Sequence, residues 1–230
     1  MIKLYQFDVS PFCDKVRRIL NVKGLDYEIE EVSIASTRRV TRRLNQTNKL
    51  PAIEHDGLTV TDSTDIAWYL EKHFPQPRLI PSDPIQKARV HVLEDWADES
   101  LYFYEITMRF AWPNNAKHWA PILLKNDSAP LRAFGSALIP RALKKVAGAQ
   151  GTARKTKEQV ITDMLRHIDA IAGMLEDSDW LVGQELTLAD IAVFCQLFCI
   201  NGTEEGRELI SERSSVAAWF ERTLSATAGN

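Results

Sequence analysis

Apolar and polar side chains alternate over residues 2–7, the period of a half-buried strand, and Ser10-Pro11 follows almost at once. Proline is favoured at the first helical position because its missing N–H would be unpaired there anyway. The pattern therefore predicts a strand that enters a helix through a very short loop. Val16, Ile19 and Leu20 give that helix an apolar face and Lys15, Arg17 and Arg18 a cationic one, and Gly24 suits a left-handed stop. Residues 27–32 read as a second strand. A strand, helix and strand in such close succession predict a parallel pair with a right-handed crossover.

Residues 38–44 read as a short polar helix whose Arg38, Arg39, Arg42 and Arg43 form a solvated face. Two short apolar runs then flank His55-Asp56-Gly57, and Asp-Gly between such runs signals a hairpin. A helix over Ser63–His73 precedes residues 74–84, which hold four prolines in eleven residues and read as a linker. Beyond it the period is helical throughout, with helices at 85–111, 130–146, 155–177, 187–200 and 215–226.

With 45% hydrophobic and 26% charged residues in 230, the chain has ordinary globular composition and enough apolar surface for a core. Its net charge of −3 and pI near 6.0 supply no field for holding nucleic-acid phosphates. No apolar run approaches the roughly 18 residues of a membrane span, and the first residues lack the basic flank and long apolar stretch of a secretory leader. Three cysteines without paired spacing suit a reducing compartment. The expectation is a cytoplasmic protein with neither a nucleic-acid nor a membrane partner.

Four features coincide: Ser10-Pro11-Phe12-Cys13 at a strand-to-helix turn, Leu50-Pro51 before a hairpin, Asp62-Ser63 opening a helix, and an all-helical remainder. Together they resemble the cytosolic glutathione transferases over nearly the whole chain, most closely at residues 2–75 and 180–194. The resemblance implies an α/β thioredoxin-like first domain (βαβαββα) over residues 1–78, a Pro-rich linker at 79–84 and an all-α helical domain over 85–230 with the electrophile pocket. It also implies glutathione as co-substrate, no metal, a homodimer, and a cis peptide before Pro51.

Beside Pro51, which interrupts a sheet ladder, the Leu50 backbone can pair with a peptide-like ligand, in the family the cysteinyl unit of glutathione. Ser63 stands where a helix start offers free N–H groups and the positive end of the dipole to a carboxylate, by resemblance the γ-glutamyl one. Asp62 joins it there, although Asp62-Ser63 alone reads first as a helix cap. Lys49 occupies a place where relatives keep a basic or amide side chain for the glycyl carboxylate, and Asn48 one where they often have glycine. The resemblance adds Phe12 and Cys13 to the binding set. It also implies an acidic residue of the long helix reaching the glutathione amino group of the neighbouring subunit; of Asp95, Asp98 and Glu99 the choice is Asp98.

Two reactive side chains share the Ser-Pro-Phe-Cys turn. In glutaredoxins and cysteine-type transferases the first position carries the thiol; here it is Ser10, and Cys13 stands one turn into the helix. A serine without a nearby base is a poor nucleophile but a good hydrogen-bond donor. Donation from Ser10 to the glutathione sulfur would favour thiolate over thiol, and lowering a thiol pKa by about two requires about 2.7 kcal/mol. Thiol exchange through Cys13, and a site that binds without turnover, stay open at this point.

In the helical half, Trp180-Leu-Val-Gly-Gln-Glu-Leu-Thr-Leu-Ala-Asp resembles the family's capping box, with Thr187 and Asp190 as its partners and Leu186 and Ile191 as hydrophobic staple. Cys195 and Cys199 read as core, not as a metal half-site. Six cations and no acid between Arg141 and Lys157 read as surface. Tyr102, Tyr104 and Arg109 are the electrophile-pocket candidates, Arg109 for an anionic substrate. The leading expectation is a glutathione transferase for a small hydrophobic electrophile. A glutathione-dependent isomerase or disulfide reductase, or a non-catalytic binding protein of the same fold, are the alternatives.

Overall fold

The computed structural model describes residues 1–44 and 49–229; Asn48 lies outside them. Strand β1 (Ile2–Gln6), helix α1 (Pro11–Val22), β2 (Tyr27–Glu31), α2 (Thr37–Leu44), β3 (Ala52–His55), β4 (Leu58–Thr61) and α3 (Ser63–His73) follow the expected βαβαββα order. The sheet runs β2-β1-β3-β4, with β1 parallel to β2 and the other neighbours antiparallel. Leu4, Ile53, Val16, Ile19, Leu20, Ile66 and Leu70 bury the space between sheet and helices. Asp56 and Gly57 both take positive φ, 50° and 79°, as the tight hairpin turn requires.

The rest is helical: α4 (Pro84–Trp96), α5 (Tyr102–Ile106), α6 (Pro113–Leu123), α7 (Ala129–Gln150), α8 (Lys157–Met174), α9 (Leu188–Asn201), α10 (Glu204–Ser211) and α11 (Ser214–Ala226). The predicted helix over 85–111 is one helical run with two π turns, Ala97–Leu101 and Thr107–Ala111, on either side of α5. Helices α6 and α10 were not separately predicted. Helix α9 is buried on nearly every side and packs against both α1 and α4, so the sheet region and the helical region share one core. The proline-rich connection is docked rather than free: Leu79 and Ile80 are buried, and the Leu79 carbonyl accepts the Leu188 N–H at 2.9 Å.

The capping box forms at the head of α9. The buried Asp190 carboxylate accepts the N–H and hydroxyl of Thr187 at 2.9 and 2.8 Å, the Leu181 N–H at 2.8 Å and Trp219 Nε1 at 2.9 Å. Four donors offset the burial of this carboxylate, whose pKa burial nonetheless raises. Cys195 and Cys199 are buried free thiols, and among the described residues no group of His, Cys, Asp and Glu could hold a metal ion. No helix of the described residues is long and apolar enough to cross a membrane.

Candidate active site

Ser10 is the N-cap of α1, half-buried at the end of the loop that leaves β1. Its hydroxyl oxygen accepts the Cys13 N–H at a long 3.4 Å, and the same side chain makes a hydrogen-bond contact with the Cys13 thiol. The hydroxyl stands at the positive end of α1, and its rotatable proton can turn from Cys13 to a ligand there. Cys13 is fully buried beneath the turn, where its sulfur accepts the Phe7 N–H at 3.4 Å. Burial pushes its thiol up to about 11 against the lowering contacts from Phe7 and Ser10, so the thiol is neutral at pH 7. The expectation that Cys13 touches a ligand is corrected: it has no exposed surface to offer.

Beside this turn a cleft is lined by Phe12, Lys49, Leu50, Pro51, Asp62, Ser63 and Thr64, and on its far wall by His91, Glu94, Asp95, Asp98 and Glu99. The Leu50–Pro51 peptide is cis, as the resemblance implied. Asp62 caps α3 with its carboxylate, accepting the N–H groups of Thr64 at 2.9 Å and Asp65 at 3.4 Å, and takes a φ of 74° that short polar side chains tolerate better than most. The sequence therefore brought six of its candidates, Phe12, Lys49, Leu50, Pro51, Asp62 and Ser63, to one cleft with Asp98 facing them.

Under the far wall lies a charge cluster that sequence reasoning missed. Lys15, read on the cationic face of α1, is buried; its ammonium donates to Glu94 at 2.7 Å and Asp98 at 2.5 Å. Thr64 Oγ1 donates to Glu94 at 2.5 Å, and Ser63 Oγ lies 3.4 Å from Asp98 Oδ2. Asp98 Oδ1 is buried without a hydrogen-bond partner. Burial, with Glu94 and Asp62 adding to it and Lys15 opposing it, raises Asp98 to about 6. Arg18 also turns inward, to Asp14 and Thr227 and over the Phe194 ring. The available signal was the spacing: Lys15 and Ile19 share a face of α1, and Glu94 and Asp98 share one of the long helix.

The family models for the glutathione S-transferase N-terminal domain and C-terminal domain match residues 4–78 and 154–222. The chain belongs to the glutathione transferase family. Protein LigF of Sphingobium sp. (strain SYK-6) is 27% identical over 236 residues, covering 96% of this chain and 88% of LigF. Maleylacetoacetate isomerase of Mus musculus is 36% identical over 97 residues, 40% of this chain and 45% of the isomerase. The crystal structure of a glutathione S-transferase from Rhodospirillum rubrum covers 98% of this chain and 88% of its own at 25% identity and TM-score 0.68. The structure titled β-etherase LigF shares the fold, with TM-score 0.69 at 23% identity over 97% of this chain and 95% of that one.

The three candidates for the second-substrate pocket of this transferase-family chain have different fates. Tyr102 packs against Phe12 at a tilt of 58°, ring centroids 4.9 Å apart, and so stands behind a residue that lines the cleft. Tyr104 is corrected: it is buried away from Phe12, against His167 and Asp163 of α8. Arg109 is corrected as well: it is 2% exposed and ion-paired with Glu105, four residues earlier, so no anionic substrate reaches it. Asp98 lies on the cleft wall of its own chain, beside Ser63 of that chain.

Proposed function

We propose that this protein is a glutathione transferase in which Ser10 activates the thiol of glutathione for attack on a small hydrophobic electrophile. The observation that carries this reading is the Ser10 hydroxyl at the head of α1, two residues before Phe12, which lines a cleft together with Leu50 and Pro51. Residues 1–78 hold glutathione and the helical domain from 85 supplies the electrophile side. Leu50 pairs with the cysteinyl backbone, Lys49 meets the glycyl carboxylate, and Ser63 at the start of α3 takes the γ-glutamyl carboxylate. Asp98, on the cleft wall, takes the γ-glutamyl ammonium. Ser10 donates its hydroxyl proton to the sulfur and stabilises thiolate; the buried thiol of Cys13 speaks against disulfide exchange.

Replacing Ser10 by alanine tests the assignment. Conjugation of glutathione to chlorodinitrobenzene is expected to fall about 100-fold in kcat, with calorimetric affinity for glutathione within about twofold. An unchanged rate in Ser10→Ala would remove Ser10 from the chemistry.

The near-full-length likeness to LigF, titled a β-etherase, favours a second reading of the same site. Attack of the thiolate on an ether carbon forms a C–S bond and breaks the C–O bond, and the departing oxygen takes a proton from solvent. Release of a phenol from an aryl ether, measured beside chlorodinitrobenzene turnover, separates the two substrate classes. A cytoplasmic homodimer completes the proposal, supported by three free cysteines and by exposed Leu58, Trp68, Ile85 and Val92 on β4, α3 and α4. Light scattering at twice the 26.1 kDa chain mass is the expected result.

A further inference from the structure

We propose that Arg109, held in place by Glu105, is a positioning residue that fixes the Ser10 turn from beneath. The inference rests on the reading of Ser10 as the thiol-activating group. Most of the turn's main chain is tied within the first domain: the Phe7 N–H to Cys13 Sγ at 3.4 Å, the Asp8 N–H to Glu31 at 2.8 Å, the Asp8 carbonyl to Arg17 at 2.9 Å and the Ser10 N–H to the Phe7 carbonyl at 3.1 Å. The Val9 carbonyl, in the peptide that leads directly into Ser10, is held from the helical region instead. It accepts Arg109 Nη1 at 3.3 Å and lies 3.9 Å from Cys199 Sγ.

Arg109 is itself held rigidly. The same Nη1 donates to Glu105, the guanidinium carbon sits 4.1 Å from the Trp119 ring centroid and 5.0 Å from that of Phe110, and both members of the pair are almost fully buried. Opposite charges cancel, so the pair adds little net field at a ligand sulfur; its effect on the turn is geometric. Its Nε is buried without a partner, an arrangement that maximal stability would not select. What the guanidinium supplies, and an apolar side chain could not, is a donor aimed at the Val9 carbonyl from across 100 residues of sequence. Moving that peptide moves Ser10, and displacements of about 1 Å at a reacting centre can cost about 100-fold in rate.

Two variants test this. Arg109→Lys keeps a cation opposite Glu105 but loses the flat guanidinium that packs on the Trp119 ring and aims its donor, and the double variant Arg109→Met/Glu105→Gln removes both charges together. In each, kcat is expected to fall about tenfold with KM for glutathione within about twofold. Amide hydrogen exchange without glutathione is expected to speed up about tenfold over residues 7–13 while α8 and α9 exchange as in the wild type. Wild-type exchange over residues 7–13 in both variants would overturn the proposal, as would faster exchange there with kcat unchanged. A wild-type protein that bound no glutathione would remove the proposed function, and the exchange data would still decide whether Arg109 holds the turn.

Discussion

The long helical run carries two buried ion clusters, both reaching the first domain near the head of α1. In the first, Lys15 faces two carboxylates, Glu94 and Asp98, so the cluster holds one surplus negative charge and opens on the cleft. In the second, Arg109 faces one carboxylate, Glu105, and the neutral pair is sealed away. Each includes a residue on a π turn, Asp98 on one and Arg109 on the other. The residue types are nearly the same, but charge balance and access differ. A surplus charge on a cleft wall suits a cationic ligand group; a balanced, enclosed pair holds neighbouring structure in place.

Breaking the first cluster should have the largest effect on stability. Lys15→Met leaves Glu94 and Asp98 buried together without their cation, and a loss of about 3–5 kcal/mol in urea unfolding is expected. Asp98, whose folded pKa is raised above the unfolded value, binds its proton more tightly when folded, so the deficit should shrink as pH falls from 7 towards 5. A deficit independent of pH would mean that Asp98 does not carry it.

The next effect is on binding. Asp98, raised to about 6, is ionised at pH 7 and largely protonated at pH 5, in surroundings set by Lys15 of α1, Asp62, Ser63 and Thr64 at the start of α3, and Glu94 on its own helix. The ammonium of glutathione favours the ionised form. Affinity should therefore weaken about tenfold from pH 7 to pH 5, and Asp98→Asn should bind more weakly at pH 7 and flatten the profile. An equal pH slope in the Asn variant would assign the titration to another group. The smallest effect compares two tyrosines: Tyr102→Ala should raise KM for the electrophile about fivefold, and Tyr104→Phe should leave it within about twofold.

The strands and most helices were legible because the hydrophobic period reports burial directly, and the turn chemistry of Asp56-Gly57 and of Ser10-Pro11 marked their ends. Helix α6 was obscured by Pro113 and Pro121, although proline at its first position was a usable start signal. Helix α10 depends on a tertiary fit: a Cβ on Gly206 would stand 2.0 Å from the Ile200 carbonyl oxygen, a closeness only glycine permits. The backbone part of the cleft was readable at Leu50-Pro51 and Asp62-Ser63. Lys15 and Glu94 were not, because charged residues are mostly exposed and only the meeting of α1 with α4 places them inside. For Arg109 the sequence did hold a clue, since Glu105 stands four residues before it in an apolar stretch.

The central claim is that Ser10 stabilises the glutathione thiolate. Titration of the ultraviolet thiolate absorbance of bound glutathione, in the wild type and in Ser10→Ala, reads it most directly. The wild-type complex should show thiolate at a pH well below that of free glutathione, and the variant should return to the free value while still binding the tripeptide. Identical titration curves for the two proteins would contradict the account.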